Sequence, residues 1–283
     1  MARLITYLSF VRFSHSVFAL PFALTGALLA WRGQPFSWAQ VGWIVVCMVS
    51  ARSAAMGFNR VVDARWDALN PRTAMREIPR GAMSAREGWL FVAVAAVVFL
   101  FAASRLGPIC FALSPVALGI IGWYSLAKRY TPYTQFFLGL AMAVAPVGGW
   151  LAAGGGAGAE PWLLGLAIGL WVGGFDILYA CQDVEFDRGA GLRSIPTRFG
   201  VSNAIRLSRV MHVATVAVMA VLWRAADLPL LYLGGVAFVA ILLCYEQSLV
   251  SDDDLSQVKK AFDLNGYVGI VYFAATALSL YLG

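Results

Sequence analysis

Asn59, Asp63 and Asp67 recur at intervals of four in FNRVVDARWDALNPR, Phe58 to Arg72, which follows an apolar run starting near Val41. In an α-helix, positions four apart are turned by only about 40°. The three side chains therefore form a ladder on one face, and Arg52, seven before Asn59, falls on that face too. A second ladder, Asp176, Tyr179, Asp183 and Asp187, surrounds the segment DVEFD, with Glu185 pointing elsewhere. Like charges gathered in one cavity repel, and a bound divalent cation relieves them. Carboxylates with amide oxygens suit hard ions, and Mg2+ takes one or two carboxylates together with phosphate oxygens and waters. Basic residues beside such an ion, with Arg52, Lys128, Arg129, Arg193 and Arg198 as candidates, complement a diphosphate.

The elements that carry the ladders must be membrane helices. Of 283 residues, 60% are hydrophobic and 13% charged, too few polar side chains for a water-soluble surface. A spanning helix needs about 20 apolar residues. Nine such stretches are predicted, centred on Leu20 to Trp31, Val41 to Phe58, Trp89 to Ser104, Ile109 to Leu126, Phe136 to Ala153, Trp162 to Tyr179, Val210 to Trp223, Leu228 to Tyr245 and Tyr267 to Leu282. With the N-terminus inside, all but four of the 21 Lys and Arg residues fall in cytoplasmic segments. Arg32, Arg105 and Arg224 lie in outer loops and Arg52 within the second span. Topology thus accounts for the net charge of +6, and a nucleic-acid partner is not expected. The expected fold is all-α and polytopic, nine helices in a bundle enclosing a cavity, with the bilayer as solvent.

Arg12 and His15 lead into the first span without a small-residue cleavage site before Trp31, so this segment is expected to stay as a helix rather than serve as a signal. Cys47, Cys110, Cys181 and Cys244 stand singly on apolar segments and are expected to be small core residues. His15 and His212 are expected to be structural or interfacial.

Outer loops such as RGQPFS, GGGAGAE and RAAD read as connectors, whereas two inner loops, from about Asp67 to Glu87 and from about Asp187 to Asn203, are longer and polar. They resemble each other. REIPRG, Arg76 to Gly81, follows the first acidic cluster and RSIPTRFG, Arg193 to Gly200, follows the second. The chain reads as two related halves, each delivering an acidic helix end and a basic loop to one membrane face, where a Mg2+-diphosphate site would meet a lipid-tailed substrate. An Asp at the bilayer centre costs about 2.5 to 3.5 kcal/mol, which is why such residues face polar cavities. For Arg52 an ion pair with Asp63 or its neighbours weighs equally with phosphate contact, and positive-inside topology alone explains many of the loop arginines.

NRVVDARWD and DVEFD, with NPRTAMREIPRG, YSLAKRYT and YACQDVEFDRGAGLRSIPTRFG, resemble the motifs of the UbiA-type intramembrane aromatic prenyltransferases over essentially the whole chain, read as a single domain, 1–283. The resemblance implies Mg2+-dependent transfer of a polyprenyl group from polyprenyl diphosphate to a carbon of an aromatic acid, in quinone biosynthesis at the cell's inner membrane, with the site facing the cytoplasm. It implies that Asn59, Asp63 and Asp67 hold one Mg2+ and Asp183 and Asp187 a second, with Lys128, Arg129 and Arg193 near the diphosphate, while Arg52 is a diphosphate-binding candidate from its helix face. Tyr124 and Tyr179 would line the reaction cavity, Asp183 would orient or deprotonate the acceptor hydroxyl, and Asp176, Arg198 and Arg12 would contact substrate. The wording of MGFNRVVD, NPRTAMREIPRG and YACQDVEFDR is similar to relatives in menaquinone synthesis by the futalosine route, which favours 1,4-dihydroxy-6-naphthoate as acceptor over 4-hydroxybenzoate. An ion-coupled transporter is the competing class, since intramembrane acids and internal duplication occur there too. Transporter sites lie near the bilayer midplane, whereas these acids sit at helix ends.

Overall fold

The computed structural model describes residues 2–11 and 19–282. Arg12 and His15 lie outside the described residues. After a short helix α1 (Ala2–Phe10) come α2 (Leu20–Ala30), α3 (Trp38–Leu69), α4 (Ala85–Leu106), α5 (Pro108–Ala127), α6 (Thr134–Ala152) and α7 (Glu160–Ala180). A single 3-10 turn, Cys181–Asp183, joins α7 to α8 (Val184–Gly189), and α9 (Ile195–Phe199), α10 (Val201–Ala225), α11 (Leu231–Ser248) and α12 (Val258–Leu282) follow. Eight of these segments are long and apolar enough to cross a membrane. Leu20–Ala30, where the ninth span is expected, is a shorter apolar helix of 11 residues among the described ones.

The bundle closes on itself. Helix α3 packs on α4, α4 on α5, α5 on α6, α6 on α7, α7 on α10, α10 on α11 and α11 on α12, and α12 returns to α2, which packs on α6. Lipid is as apolar as leucine, so helix pairing depends on close backbone approach and interhelical hydrogen bonds rather than on apolar character. At Gly149 of α6 a Cβ would land on the Ala23 carbonyl of α2, and at Gly26 of α2 one would land on the Pro146 carbonyl of α6. These two glycines set the α2–α6 distance. Polar pairs tie the other helices: Trp171 Nε1 donates to Asn265 Oδ1 at 2.7 Å, Ser208 Oγ to the Gly174 carbonyl at 2.8 Å, and the Tyr232 and Tyr272 hydroxyls meet at 2.6 Å. Outward faces carry the opposite chemistry. Leu90, Val94, Val97 and Phe101 of α4 and Ile109, Phe111 and Val116 of α5 are exposed, as lipid-facing side chains must be.

The expectation for the cysteines holds in part. Cys47 and Cys181 are buried and Cys110 half-buried, but Cys244 is exposed on α11, because its position on the helix turns outward. His212 is buried between helices, with Gln247 Nε2 at 2.9 Å from Nδ1 and the Trp171 carbonyl at 3.3 Å from Nε2, a structural role as expected.

Candidate active site

Helix α3 runs unbroken for 32 residues, well past the apolar run, and so keeps Asn59, Asp63 and Asp67 in register on one face. The second ladder forms differently. The 3-10 turn at Cys181–Asp183 interrupts the helix between Tyr179 and Asp187, yet Asp176, Tyr179, Asp183 and Asp187 all reach the same cavity. Glu185 is exposed and turned away. The cavity holds about 250 Å³ and lies among the ends of α3, α5, α6 and α7 and the two inner loops.

Ion pairs knit its walls together. Asp63, 1% exposed, accepts from Lys128 Nζ at 2.6 Å, from Arg129 Nη2 at 3.2 Å and from Asn59 Nδ2 at 3.2 Å. Arg76 Nη1 donates to both oxygens of Asp67, at 2.7 and 2.8 Å. Arg72 crosses the cavity: its Nε and Nη2 donate to Asp183 at 3.1 and 2.5 Å and its Nη1 donates to the Tyr179 hydroxyl at 2.7 Å. Burial works against the Arg72 charge, but Asp183 and Tyr179 outweigh it and hold the guanidinium above its ordinary range.

The loop between α3 and α4 is built to present these arginines. Asn70 Oδ1 accepts from the Arg72 amide at 2.9 Å, and Thr73 Oγ1 donates to the Asp67 carbonyl at 3.1 Å, turning the chain back over its own helix end. In the second loop, Ser194 and Thr197 form reciprocal bonds that start α9, leaving Arg193 at the cavity rim with its amide on the Lys128 carbonyl at 2.8 Å and Nη1 on the Tyr130 carbonyl at 2.8 Å. The paired loops read from REIPRG and RSIPTRFG thus deliver Arg76 and Arg193 to one cavity.

Of the expected site residues, Asn59, Asp63, Asp67, Tyr124, Lys128, Asp176, Tyr179, Asp183, Asp187 and Arg193 line the cavity. Three others do not. Arg129 lies behind Asp63, its guanidinium 4.3 Å from the Trp66 ring centre and bonded to the Val62 carbonyl at 2.7 Å. Arg52, one to two turns up α3 toward the membrane, is outside the lining, though within electrostatic reach of Tyr124. Arg198 is exposed at the end of α9, because the short helix swings it outward. Arg12 lies outside the described residues. Sequence reasoning missed Arg72 and Arg76 as site residues, along with Asn70, Thr73 and Gln135. Their position in NPRTAMREIPRG, directly after the acidic ladder, was the available signal.

Among the described residues no three Asp, Glu, His or Cys side chains converge as a ready metal-ligand set. The donor chemistry nevertheless fits Mg2+. Asp63, Asp67, Asp176, Asp183 and Asp187 line the cavity against four cations, Arg72, Arg76, Lys128 and Arg193, and both Asp176 and Asp187 feel the Asp183 charge. A diphosphate entering this excess of carboxylates would need divalent cations beside it. Asp63, Asp67 and Asp183 meanwhile hold basic partners, Lys128, Arg76 and Arg72, that a phosphate oxygen could take over.

A second cavity of about 340 Å³ is apolar. It is lined mostly by residues of α3 to α6, among them Cys47, Phe99, Ala117, Ile120 and Gly148, with Ala23 of α2 and Trp162 of α7. Ile120 lies one turn before Tyr124 on α5, so one helical turn separates a residue lining the apolar cavity from one lining the polar cavity.

The model of the UbiA prenyltransferase family matches residues 19–274. A 4-hydroxybenzoate octaprenyltransferase of Enterobacter sp. (strain 638) is 31% identical over 229 residues, 81% of this chain and 78% of the relative. Among solved structures, the apo structure of a UbiA homolog from Aeropyrum pernix K1 superposes with a TM-score of 0.87 at 34% identity, covering 94% of this chain and 98% of that one. A UbiA homolog from Archaeoglobus fulgidus bound to GPP and Mg2+ shares the fold, with a TM-score of 0.74 at 20% identity over 96% and 99% of the two chains.

Proposed function

Since this chain belongs to the UbiA prenyltransferase family, and is an integral membrane prenyltransferase, we propose that it transfers a polyprenyl group from polyprenyl diphosphate to a ring carbon of 4-hydroxybenzoate, at the cytoplasmic face of the inner membrane. The observation that carries the reading is the pair of cavities along α5, one walled by carboxylates and cations, the other apolar, with lining residues one helical turn apart. A molecule with a diphosphate head and an isoprenoid tail matches both.

Asn59, Asp63 and Asp67 on one wall and Asp183 and Asp187 on the other would hold Mg2+. When bound, the ion neutralises the diphosphate oxygens and makes the diphosphate a better leaving group. Lys128, Arg72 and Arg76 move their hydrogen bonds from carboxylates to phosphate oxygens, and Arg193 at the rim joins them, supplying fixed positive charge where negative charge develops. The allylic carbon–oxygen bond breaks with its electron pair leaving on the diphosphate. The Tyr124 and Tyr179 rings face the resulting cation; Tyr179 already has the Arg72 guanidinium 5.2 Å from its ring centre. The electron-rich ring of the acceptor forms the new carbon–carbon bond and loses a ring proton to the released diphosphate. Asp183, once Arg72 turns to the phosphate, orients or deprotonates the acceptor hydroxyl, and Asp176 deeper in the same cavity contacts substrate. Burial in the bundle keeps water from the cation.

The activity of the Enterobacter relative supports 4-hydroxybenzoate as acceptor better than the naphthoate favoured by motif wording. The naphthoate is the second reading, supported by MGFNRVVD and YACQDVEFDR. Purified protein, and the double variant Asp63→Ala, Asp183→Ala, given polyprenyl diphosphate, Mg2+ and equal amounts of the two acids, should yield prenylated 4-hydroxybenzoate only with the unaltered protein. Product from 1,4-dihydroxy-6-naphthoate alone would exchange the acceptor. Product from the double variant would overturn the metal assignment.

A further inference from the structure

Arg72 and Arg76 are placed by a loop, and loops hold charged side chains only where something fixes the backbone. Glu77, next to Arg76, points away from the cavity and is buried at 5% exposure. Its Oε2 accepts from Nη1 of Arg60, a buried residue of α3, at 3.4 Å. Its Oε1 accepts from Ser9 Oγ of α1 at 2.6 Å. Its carbonyl takes the Met83 amide at 3.1 Å, closing the loop on itself. Ile78 then packs with Phe10 and Val11, Val61 and Met83, while Tyr7 stacks on Phe91 of α4 at 5.7 Å. The chain alternates across this segment: Arg76 faces Asp67 and the cavity, Glu77 faces Arg60 and α1, and Ile78 enters an apolar cluster.

We propose that Glu77 is a positioning residue for diphosphate binding: by bridging Arg60 of α3 and Ser9 of α1 it fixes the loop that aims Arg72 and Arg76 into the cavity, and makes α1 part of the site's support. The proposal rests on the prenyl-transfer reading for its kinetic half only. A carboxylate suits the task because it accepts from two donors on opposite sides at once. A purely structural role would instead be to neutralise Arg60, and that role ends when both charges are removed together.

The test uses full-length protein in detergent with Mg2+, reading KM and kcat for polyprenyl diphosphate, the thermal midpoint, and trypsin cleavage after Arg72 and Arg76. Glu77→Gln should raise KM about tenfold with kcat changed by less than about threefold. Cleavage should accelerate about tenfold, since it follows the population of the open loop. Glu77→Asp should recover part of both. The double variant Arg60→Met, Glu77→Met should regain the thermal midpoint while keeping the raised KM and the rapid cleavage. Return of KM and cleavage to wild-type values in that double variant would reduce Glu77 to a counter-ion and overturn the proposal. Should Glu77→Gln fail to fold, Ser9→Ala, at an exposed position, carries the test and should speed cleavage severalfold. Absence of prenyl transfer by the wild type would defeat the functional reading alone, and cleavage would still decide the latch: an unchanged rate in Glu77→Gln or Ser9→Ala refutes it.

Discussion

Arg72 makes three charge-assisted contacts across the cavity, to both oxygens of Asp183 and to the Tyr179 hydroxyl, a pattern that a planar guanidinium fits and an ammonium does not. Arg72→Lys should therefore raise KM for the diphosphate about tenfold or more despite keeping the charge. Steady-state kinetics with varied donor would check it, and an unchanged KM would place Arg72 outside the binding step. Asp63 accepts from Lys128, Arg129 and Asn59, so Asp63→Asn leaves two cations facing a neutral amide. We expect a loss of about a hundredfold or more in kcat, as when a group that organises charge in the transition state is removed. Excess Mg2+ should not restore it. These residues differ in how visible they were. Asp63 stood out by its spacing from Asn59 and Asp67, whereas Arg72 was one arginine among many on the inner side and its partner lies 111 positions away.

Elements hold these side chains because the helices approach closely where glycine permits it. Gly149 and Gly26 let α2 and α6 touch through their backbones, and Gly149→Leu should separate them. Overpacking of this kind costs about 1 to 3 kcal/mol or more. A lowered thermal midpoint in detergent, without a change in KM at low temperature in the folded fraction, is the expected result. The glycine was legible only as a residue type, since GGW in a predicted span does not say which face meets a neighbour. The break at Cys181–Asp183 departs from the uninterrupted ladder that the spacing predicts through Asp187: a 3-10 turn replaces one stretch of it while leaving the carboxylates in the cavity.

At the scale of the whole molecule, the proposed reading puts the isoprenoid tail in the apolar cavity and so predicts that tail length is a property of the bundle. Ala117→Trp, filling the apolar cavity, should discriminate against a long polyprenyl donor relative to a five-carbon one by about tenfold or more in kcat/KM. Equal losses for both donors would move the tail elsewhere. Topology has its own measurement. Cysteines placed at Asp253 and at Gly33, in a Cys244→Ser background, should react with a membrane-impermeant maleimide from opposite sides, Asp253 from the cytoplasmic one. Labelling of both from one side would overturn the arrangement.

The sequence by itself determined that this is a helical membrane protein and that two acidic ladders exist, because hydrophobic length and the 3.6-residue repeat are local properties of the chain. It also fixed which loops carry the cations. Only the tertiary structure decided which cation meets which acid: Arg72 on Asp183, Arg76 on Asp67, Lys128 on Asp63, with Arg129 set behind and Arg198 turned to solvent. The reason is physical. Positive-inside composition places arginines in every inner loop with little regard to function, and their separation into partners follows from loop turns and from helix contacts between residues far apart in sequence.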